Sequence, residues 1–157
     1  MKHLINLVAV VLLILPQYSQ AQCIKGNCWS GHGVYIYPSG AKYEGNFRDG
    51  KIQGKGILYF SDGNKYIGDW VNHYREGKGK MIFTTGDVYQ GDFKHSRISG
   101  KGVMDFANGD RYEGDWADDK QHGHGKYFYV DGDRYEGDFY AGKLHGHGSM
   151  FYTDGSK

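Results

Sequence analysis

Residues 43–65 read YEGNFRDGKIQGKGILYFSDGNK, and the same pattern returns at residues 112–134 as YEGDWADDKQHGHGKYFYVDGDR. The opening tyrosine, the paired glycines and the closing Asp-Gly stay at the same positions in both segments. The spacing is 23 residues throughout, which defines consecutive units at 43–65, 66–88, 89–111, 112–134 and 135–157. A fixed period of this length predicts a tandem array rather than an ordinary layered domain.

Each unit begins with a Tyr-x-Gly-x-aromatic block. The opening tyrosines are Tyr43, Tyr66, Tyr89, Tyr112 and Tyr135. The glycines two residues later are Gly45, Gly68, Gly91, Gly114 and Gly137. The aromatic residues that close the block are Phe47, Trp70, Phe93, Trp116 and Phe139. A second block with a Gly-x-Gly pair follows in the same register.

Alternation with period two, bounded by turn residues, predicts two β-strands per unit. We expect a six-residue loop between them and an Asp-Gly type of turn after the second strand. No helix is predicted, because glycines interrupt every stretch of the repeats. The fold class is therefore all-β, an elongated twisted single sheet built from tandem β-hairpins. A glycine inside each strand is expected to let a ring from a neighbouring strand lie over bare backbone.

The blocks at 43–47 and 112–116, each followed by Gly-x-Gly and Asp-Gly, resemble the MORN (membrane occupation and recognition nexus) repeat. The resemblance covers nearly all of residues 31–157. It implies a sheet of hairpins used for protein contacts, for self-association and, in some members, for attachment to phospholipids. It implies neither catalytic residues nor a cofactor. His73, Ser96 and Asp119 depart from the pattern where the family often has a loop glycine.

The beginning of the chain has the layout of a secretory signal peptide. A basic start precedes an apolar stretch over 4–15, and small residues at Ser19 and Ala21 favour cleavage before Gln22. The apolar stretch is short of the ~20 residues that a membrane-spanning helix needs. We therefore predict a signal peptide at 1–21, an N-terminal cap and half repeat at 22–42, and an exported protein that is periplasmic, in the cell envelope or secreted.

Cys23 and Cys28 are the two cysteines of the sequence. In an exported chain they are expected to form a disulfide that closes the N-terminal end of the array. Closing so short a loop would stabilise the folded chain by on the order of 2 kcal/mol. Acylation of Cys23 is the alternative, although Gln22 departs from the small residue that normally precedes a lipidated cysteine.

Charge argues against a nucleic-acid ligand. Without Lys2, the 19 basic residues become 18 and balance the 18 acidic ones. A neutral chain has no cationic excess to release counterions from phosphates. Catalysis is also not expected, since the carboxylates recur with the period, whereas reacting groups occupy unique positions.

Two His-x-His pairs occupy equivalent positions in adjacent units, and four imidazoles near one another could hold zinc or copper. The residues are His122, His124, His145 and His147. A repeat spacing of ~10 Å is too wide for one ion to join all four. These positions hold other polar residues elsewhere, so we favour variable surface positions over a metal site.

The ten repeat aromatics define the predicted functional surface. A single sheet without a helical layer should leave part of its aromatic side exposed, and exposed apolar patches mark interaction surfaces. The opposite face carries columns of Lys55, Lys78 and Lys101 and of Asp69, Asp92, Asp115 and Asp138, predicted to be solvated. The last hairpin should end in an open edge strand suited to pairing with a second copy. We therefore predict a non-catalytic binding or scaffold module for protein contacts or self-association, with phospholipid, carbohydrate or metal binding as alternatives.

Overall fold

The computed structural model describes residues 20–157, which form one open antiparallel sheet of 12 strands in sequence order. The predicted signal peptide lies almost entirely outside the described residues. The all-β fold with two strands per unit is confirmed. The strands are β1 (Gln22–Gly26), β2 (Gly31–Ile36), β3 (Lys42–Arg48), β4 (Lys51–Tyr59), β5 (Lys65–Val71), β6 (Tyr74–Ile82), β7 (Val88–Lys94), β8 (Arg97–Asp105), β9 (Arg111–Ala117), β10 (Lys120–Phe128), β11 (Arg134–Tyr140) and β12 (Lys143–Phe151).

One glycine from every strand joins a continuous row of paired positions across the sheet. The row runs through Gly26, Gly33, Gly45, Gly56, Gly68, Gly79, Gly91, Gly102, Gly114, Gly125, Gly137 and Gly148. A Cβ atom on Gly56 would meet the Tyr43 ring, and one on Gly79 would meet the Tyr66 ring. The expectation that a ring covers bare backbone on the neighbouring strand is therefore confirmed.

The rings of the repeats form the core of the sheet on one side, which we call the aromatic face. Tyr66 stands edge-on to Trp70 of its own unit and to Phe93 of the next, with centroids 5.2 and 4.9 Å apart. This contact recurs along the array, so each unit packs on its neighbour. The indole nitrogen of Trp70 also donates to the Gly56 carbonyl at 3.3 Å.

The predicted exposure of these rings is wrong. The ten repeat aromatics are at most 8% exposed, and four of the tyrosines are completely buried. Edge-to-face packing between successive units buries the rings without a second layer. Aromatic neighbours contact the sides of each ring, and glycine backbone lies beneath the tyrosines. Trp29, by contrast, is 67% exposed.

The predicted six-residue loop is also wrong. The two strands of each unit are joined by a two-residue turn, such as Asp49–Gly50, in which both residues have positive φ as type I′ turns require. The residues that replace the second turn glycine keep this geometry, since His73 has φ 70° and Ser96 has φ 65°. Their side chains compensate by accepting backbone N–H groups of the preceding unit, as Asp119 does from Ile98 at 2.8 Å.

The turns between units carry a second set of links. In the four turns that follow Phe60, Phe83, Phe106 and Tyr129, a glycine with positive φ closes a tight loop, and the side chain of the next residue accepts an N–H from the following unit. Asp87 accepts from Ala107, and Asp110 accepts from Val130, both at 2.8 Å. Hydrogen bonds therefore link successive units along both rows of turns.

The N-terminal end is closed by the predicted disulfide between Cys23 and Cys28, whose Cα atoms are 5.9 Å apart. At the other end of the strand order lies β12. Its pairing with a second copy stays a prediction. Across residues 20–157 there is no helix, and hence none that could span a bilayer.

Candidate functional site

A groove of about 990 Å³ crosses the sheet on the side opposite the aromatic face. It runs from β2 to β9, perpendicular to the strands. Its floor is the backbone of the glycine row. The residues directly before and after each of these glycines form the two edges of the groove. We call this feature the glycine groove. Its floor residues are Gly45, Gly56, Gly68, Gly79, Gly91, Gly102 and Gly114.

One edge of the groove, the first wall, is chemically varied. It consists of the residues that precede or follow the floor glycines and pair with one another across the sheet. Along the array they are Glu44, Ile57, Ile67, Lys80, Gln90, Val103 and Glu113. Ile67 is 37% exposed although it is a large aliphatic residue in the middle of a strand. The first wall therefore offers apolar, cationic, amide and acidic groups in sequence.

The opposite edge, the second wall, is a ladder of ion pairs between adjacent units. Nζ of Lys78 lies 2.6 Å from Oδ1 of Asp92, and Lys101 contacts Asp115 at the same distance. The other carboxylate oxygen, Oδ2 of Asp92, accepts the N–H of Lys101 at 3.0 Å. The charge columns are thus tied to one another and to the strand backbone. The second wall is a fixed, largely neutralised border.

The aspartates of this ladder have perturbed acidity. Partial burial acts to raise the pKa of Asp92, but hydrogen bonds from the Lys78 ammonium and the Lys101 N–H outweigh it and leave the pKa below its usual value. The same balance lowers the pKa of Asp115, with Lys101 and the His124 N–H as donors. Both groups are therefore ionised at neutral pH, as the ion pairs require.

The histidine pairs continue the same columns beyond the groove. His124 takes the place of the second-wall lysines, with Nδ1 3.3 Å from Oδ1 of Asp138. His122 lies against Tyr140, whose ring also approaches His145. Within residues 20–157, no group of three or more His, Cys, Asp or Glu side chains is arranged to hold a metal ion. His124 therefore continues the row of ion pairs, and His122 and His145 lie against the Tyr140 ring.

Sequence reasoning assigned the interaction surface to rings that the structure buries. It identified the repeat aromatics, whose rings are core, and it found the lysine and aspartate columns but not their pairing. It missed Ile57, Ile67, Lys80, Gln90 and Val103, because residues that change between units carry no periodic signal. Their register was the available clue, since each adjoins a fixed glycine or tyrosine.

The buried tyrosines separate the two faces. Tyr89 donates its hydroxyl to the Asp92 carbonyl at 3.0 Å, and the other opening tyrosines make the same bond to the residue three positions later. Burial raises the pKa of Tyr89 well above its ordinary value, and the same holds for Tyr43, Tyr66 and Tyr112. Each phenol therefore stays protonated and fixes the backbone behind the second wall.

Comparison with solved structures returns TCP domains of SAS-4 and CPAP proteins. The TCP domain of SAS-4 (dCPAP) from Drosophila melanogaster, in complex with a proline rich motif of Ana2 (dSTIL), has a TM-score of 0.55 at 15% identity, covering 99% of this chain and 83% of that chain. The TCP10c domain of Drosophila melanogaster Sas-4 has a TM-score of 0.49 at 17% identity, covering 86% and 81% of the two chains. At 15% identity the first of these likenesses concerns the fold alone.

A third structure is the TCP10 domain of Danio rerio CPAP in complex with a STIL peptide. Its TM-score is 0.44 at 18% identity, and the match covers 68% of this chain and 48% of that chain. Among curated proteins, none matches the sequence.

The family comparison accounts for most of the chain. The MORN repeat model matches residues 29–42, 43–65, 66–88, 89–111, 112–134 and 135–157. These matches contain the Tyr-x-Gly-x-aromatic blocks, the glycine row from Gly33 onward and both kinds of turn. The chain therefore belongs to the MORN repeat family.

Proposed function

We propose that the protein is an exported, non-catalytic binding module that holds an extended segment of a partner protein in the glycine groove. The observation that carries this proposal is the groove itself, a continuous channel whose floor is bare glycine backbone. The groove crosses eight neighbouring strands, from β2 to β9, and so offers an elongated path suited to a single extended chain. Its varied first wall supplies the side-chain contacts that give specificity.

The chemistry of the walls supports a peptide more than a small metabolite. The second wall is neutralised by its own ion pairs, so it offers no strong field for a free anion. The first wall spreads its apolar and polar groups over several strands instead of converging them on one point. Such a distribution suits a polymer that contacts each group in turn.

The fold comparison supports a protein ligand as well. The SAS-4 TCP domain, which shares the sheet over almost the whole of this chain, was solved with a proline rich motif bound. A long single sheet of hairpins is thus compatible with recognition of a short linear segment.

Selection from a displayed library of random linear peptides, with the purified protein as bait, tests this function. Peptides selected on the wild-type chain are expected to lose at least about tenfold in affinity on Ile67→Glu, which places a buried charge against the ligand's apolar contact. Val130→Glu is the matched control, since Val130 is 69% exposed in a turn away from the groove. Selected peptides that bind both variants equally would disprove the groove as the binding site.

Phospholipid binding is a second candidate, favoured by the edge of the sheet that carries the two-residue turns. The strand ends there bear Arg48, Lys51, Lys94, Arg97, Lys120 and Lys143. Asp118 neutralises part of this charge through an ion pair with Arg97 at 2.9 Å. Co-sedimentation with phosphatidylserine vesicles, absent with phosphatidylcholine alone and abolished by Lys94→Glu with Arg97→Glu, would support this candidate over the groove.

A further inference from the structure

We propose that the glycine groove binds a polyproline II segment that places an apolar, an acidic and a basic side chain at every third position. This inference rests on the proposed function and adds the conformation and residue pattern of the ligand. It follows from two properties of the groove, its period and the order of the groups along the first wall.

The period of the groove matches one turn of a polyproline II helix. Neighbouring strands lie about 4.8 Å apart, so two strands advance the array by about 9.6 Å per unit. A polyproline II helix has three residues per turn and rises about 3.1 Å per residue, which gives about 9.3 Å per turn. Residues i, i+3 and i+6 of such a ligand therefore face equivalent positions of three successive units.

Three cross-strand pairs of the first wall occupy those equivalent positions. Ile57 pairs with Ile67 between β4 and β5, and both are aliphatic. One unit further, Lys80 pairs with Gln90 between β6 and β7. One unit beyond that, Val103 pairs with Glu113 between β8 and β9. The groove thus presents an apolar, a cationic and an aliphatic-acidic site in fixed order.

The charge state of these sites defines what each accepts. Among residues 20–157, Lys80 forms no ion pair, unlike the second-wall lysines, so its ammonium complements an acidic ligand residue. Oε1 of Glu113 lies 2.7 Å from Nη2 of Arg111 and accepts the Arg111 Nε–H at 2.8 Å. Oε2 of Glu113 takes no part in these two contacts. A ligand arginine can lay its aliphatic stem on Val103 and direct its guanidinium to Glu113.

The expected ligand therefore has the pattern apolar-x-x-acidic-x-x-basic, or its reverse, with prolines at the intervening positions. A polyproline II helix has no internal hydrogen bonds and is already extended, so little conformational entropy is lost when it binds. The intervening prolines favour that conformation in the free peptide.

The test uses synthetic peptides and fluorescence anisotropy. The reference peptide is PPVPPEPPRPP, and its comparators are PPVPEPRPP and PPVPPPEPPPRPP, which shorten or lengthen the spacing by one residue, together with the reversed sequence PPRPPEPPVPP. The reference or its reverse is expected to bind at least about fivefold more tightly than either spacing variant, since a shifted charge loses its partner. Equal affinity of all spacings would overturn the period.

A charge exchange tests the order of sites. Lys80→Glu is expected to weaken the reference peptide about three- to tenfold and to strengthen PPVPPKPPRPP by a similar factor. Lys126→Glu is the matched control, because Lys126 occupies the position equivalent to Lys80 on β10, one strand beyond the groove. The same response in both variants would show that general charge, and not the site, governs binding.

Failure of this inference is distinguishable from failure of the proposed function. If selected library peptides respond to Ile67→Glu while none of the designed peptides binds, the groove is a peptide site and the polyproline II pattern is wrong. If neither the selected nor the designed peptides respond to Ile67→Glu, both proposals fail together.

Discussion

The two faces of the sheet differ in how strictly the residues repeat. On the aromatic face, every unit places a tyrosine, a glycine and a phenylalanine or tryptophan at the same positions, and these rings are buried. On the first wall of the glycine groove, the corresponding positions hold isoleucine, lysine, glutamine, valine or glutamate. The aromatic face is constrained by unit-to-unit packing, whereas the first wall of the groove varies from unit to unit.

This difference assigns separate roles to the two faces. A ring that packs on both its own unit and the next cannot change without disturbing two interfaces, as the contacts of Tyr66 show. A side chain such as Gln90 stands on the opposite side of the same strands and enters no such contact with the rings. Variation can therefore alter what the groove contacts while the sheet stays intact.

High pH should lower the free energy of unfolding more than any other change described below, because it acts on the buried tyrosines of the aromatic face. Because burial raises the pKa of four tyrosines above the ordinary value of 10.0, these phenols bind protons in the folded chain at pH values where they ionise in the unfolded chain. Stability is then complete below pH 10 and falls above it, by up to about 1.4 kcal/mol per pH unit for each ring. Thermal unfolding followed by circular dichroism between about pH 9 and about pH 11.5 measures this loss, because that range spans the ionisation of a free phenol near pH 10.

Phenolate absorbance supplies the control for the alkaline experiment. Tyr43, Tyr66, Tyr89 and Tyr112 are expected to ionise only together with unfolding, because burial raises the pKa of each phenol. Ionisation of all tyrosines ahead of the loss of the circular dichroism signal would contradict the burial of the opening tyrosines.

Adding a methyl group to a glycine of the glycine row should cause the next largest loss in the free energy of unfolding. Gly102→Ala directs a Cβ into the Tyr89 ring, with Cζ at 2.5 Å, and is expected to cost about 3 kcal/mol, at the upper end of what overpacking costs. Gly40→Ala is the comparison, since nothing lies within 4 Å of its Cβ position and only its φ of +86° opposes the change, at about 1 kcal/mol. Urea unfolding of both variants checks the order, and equal losses would show that the ring does not rest on the row.

Removal of one phenolic hydroxyl should have a smaller effect. Tyr89→Phe keeps the ring but deletes the hydrogen bond to the Asp92 carbonyl, which is expected to cost about 1 kcal/mol. It should also make the alkaline transition shallower, because one titrating group is lost. Tyr140→Phe should change the free energy of unfolding little, since that ring is 60% exposed. A loss as large for Tyr140→Phe would refute the distinction between the two tyrosines.

The features predicted from sequence were those that the period repeats. The 23-residue spacing of Tyr43 and its equivalents was enough to predict an all-β sheet of hairpins, and the glycines were enough to predict rings lying on bare backbone. The disulfide between Cys23 and Cys28 followed from the cysteine count and the predicted export. Each of these depends on residue type and local spacing.

The features that were missed depend on contacts between units. Burial of Trp70 requires the Tyr43 ring of the preceding unit, which no single repeat contains. The short turn at Asn72–His73 requires the His73 side chain to contact Ile52, again one unit away. The groove escaped notice because the signal that identified the fold came from residues that repeat, and most of its first wall, from Ile57 to Val103, is made of residues that change between units.

The smallest expected effect on stability is on the first wall, where it sharpens the comparison between the faces. Ile67→Glu replaces an aliphatic side chain that is 37% exposed and points away from the rings, so the free energy of unfolding should change by no more than about 0.5 kcal/mol. The same substitution is expected to weaken binding of selected peptides at least about tenfold, which separates function from stability at a single residue. Urea unfolding of the variant beside wild type measures the first quantity. A loss of several kcal/mol would mean that Ile67 supports the sheet, and that the two faces are not independent.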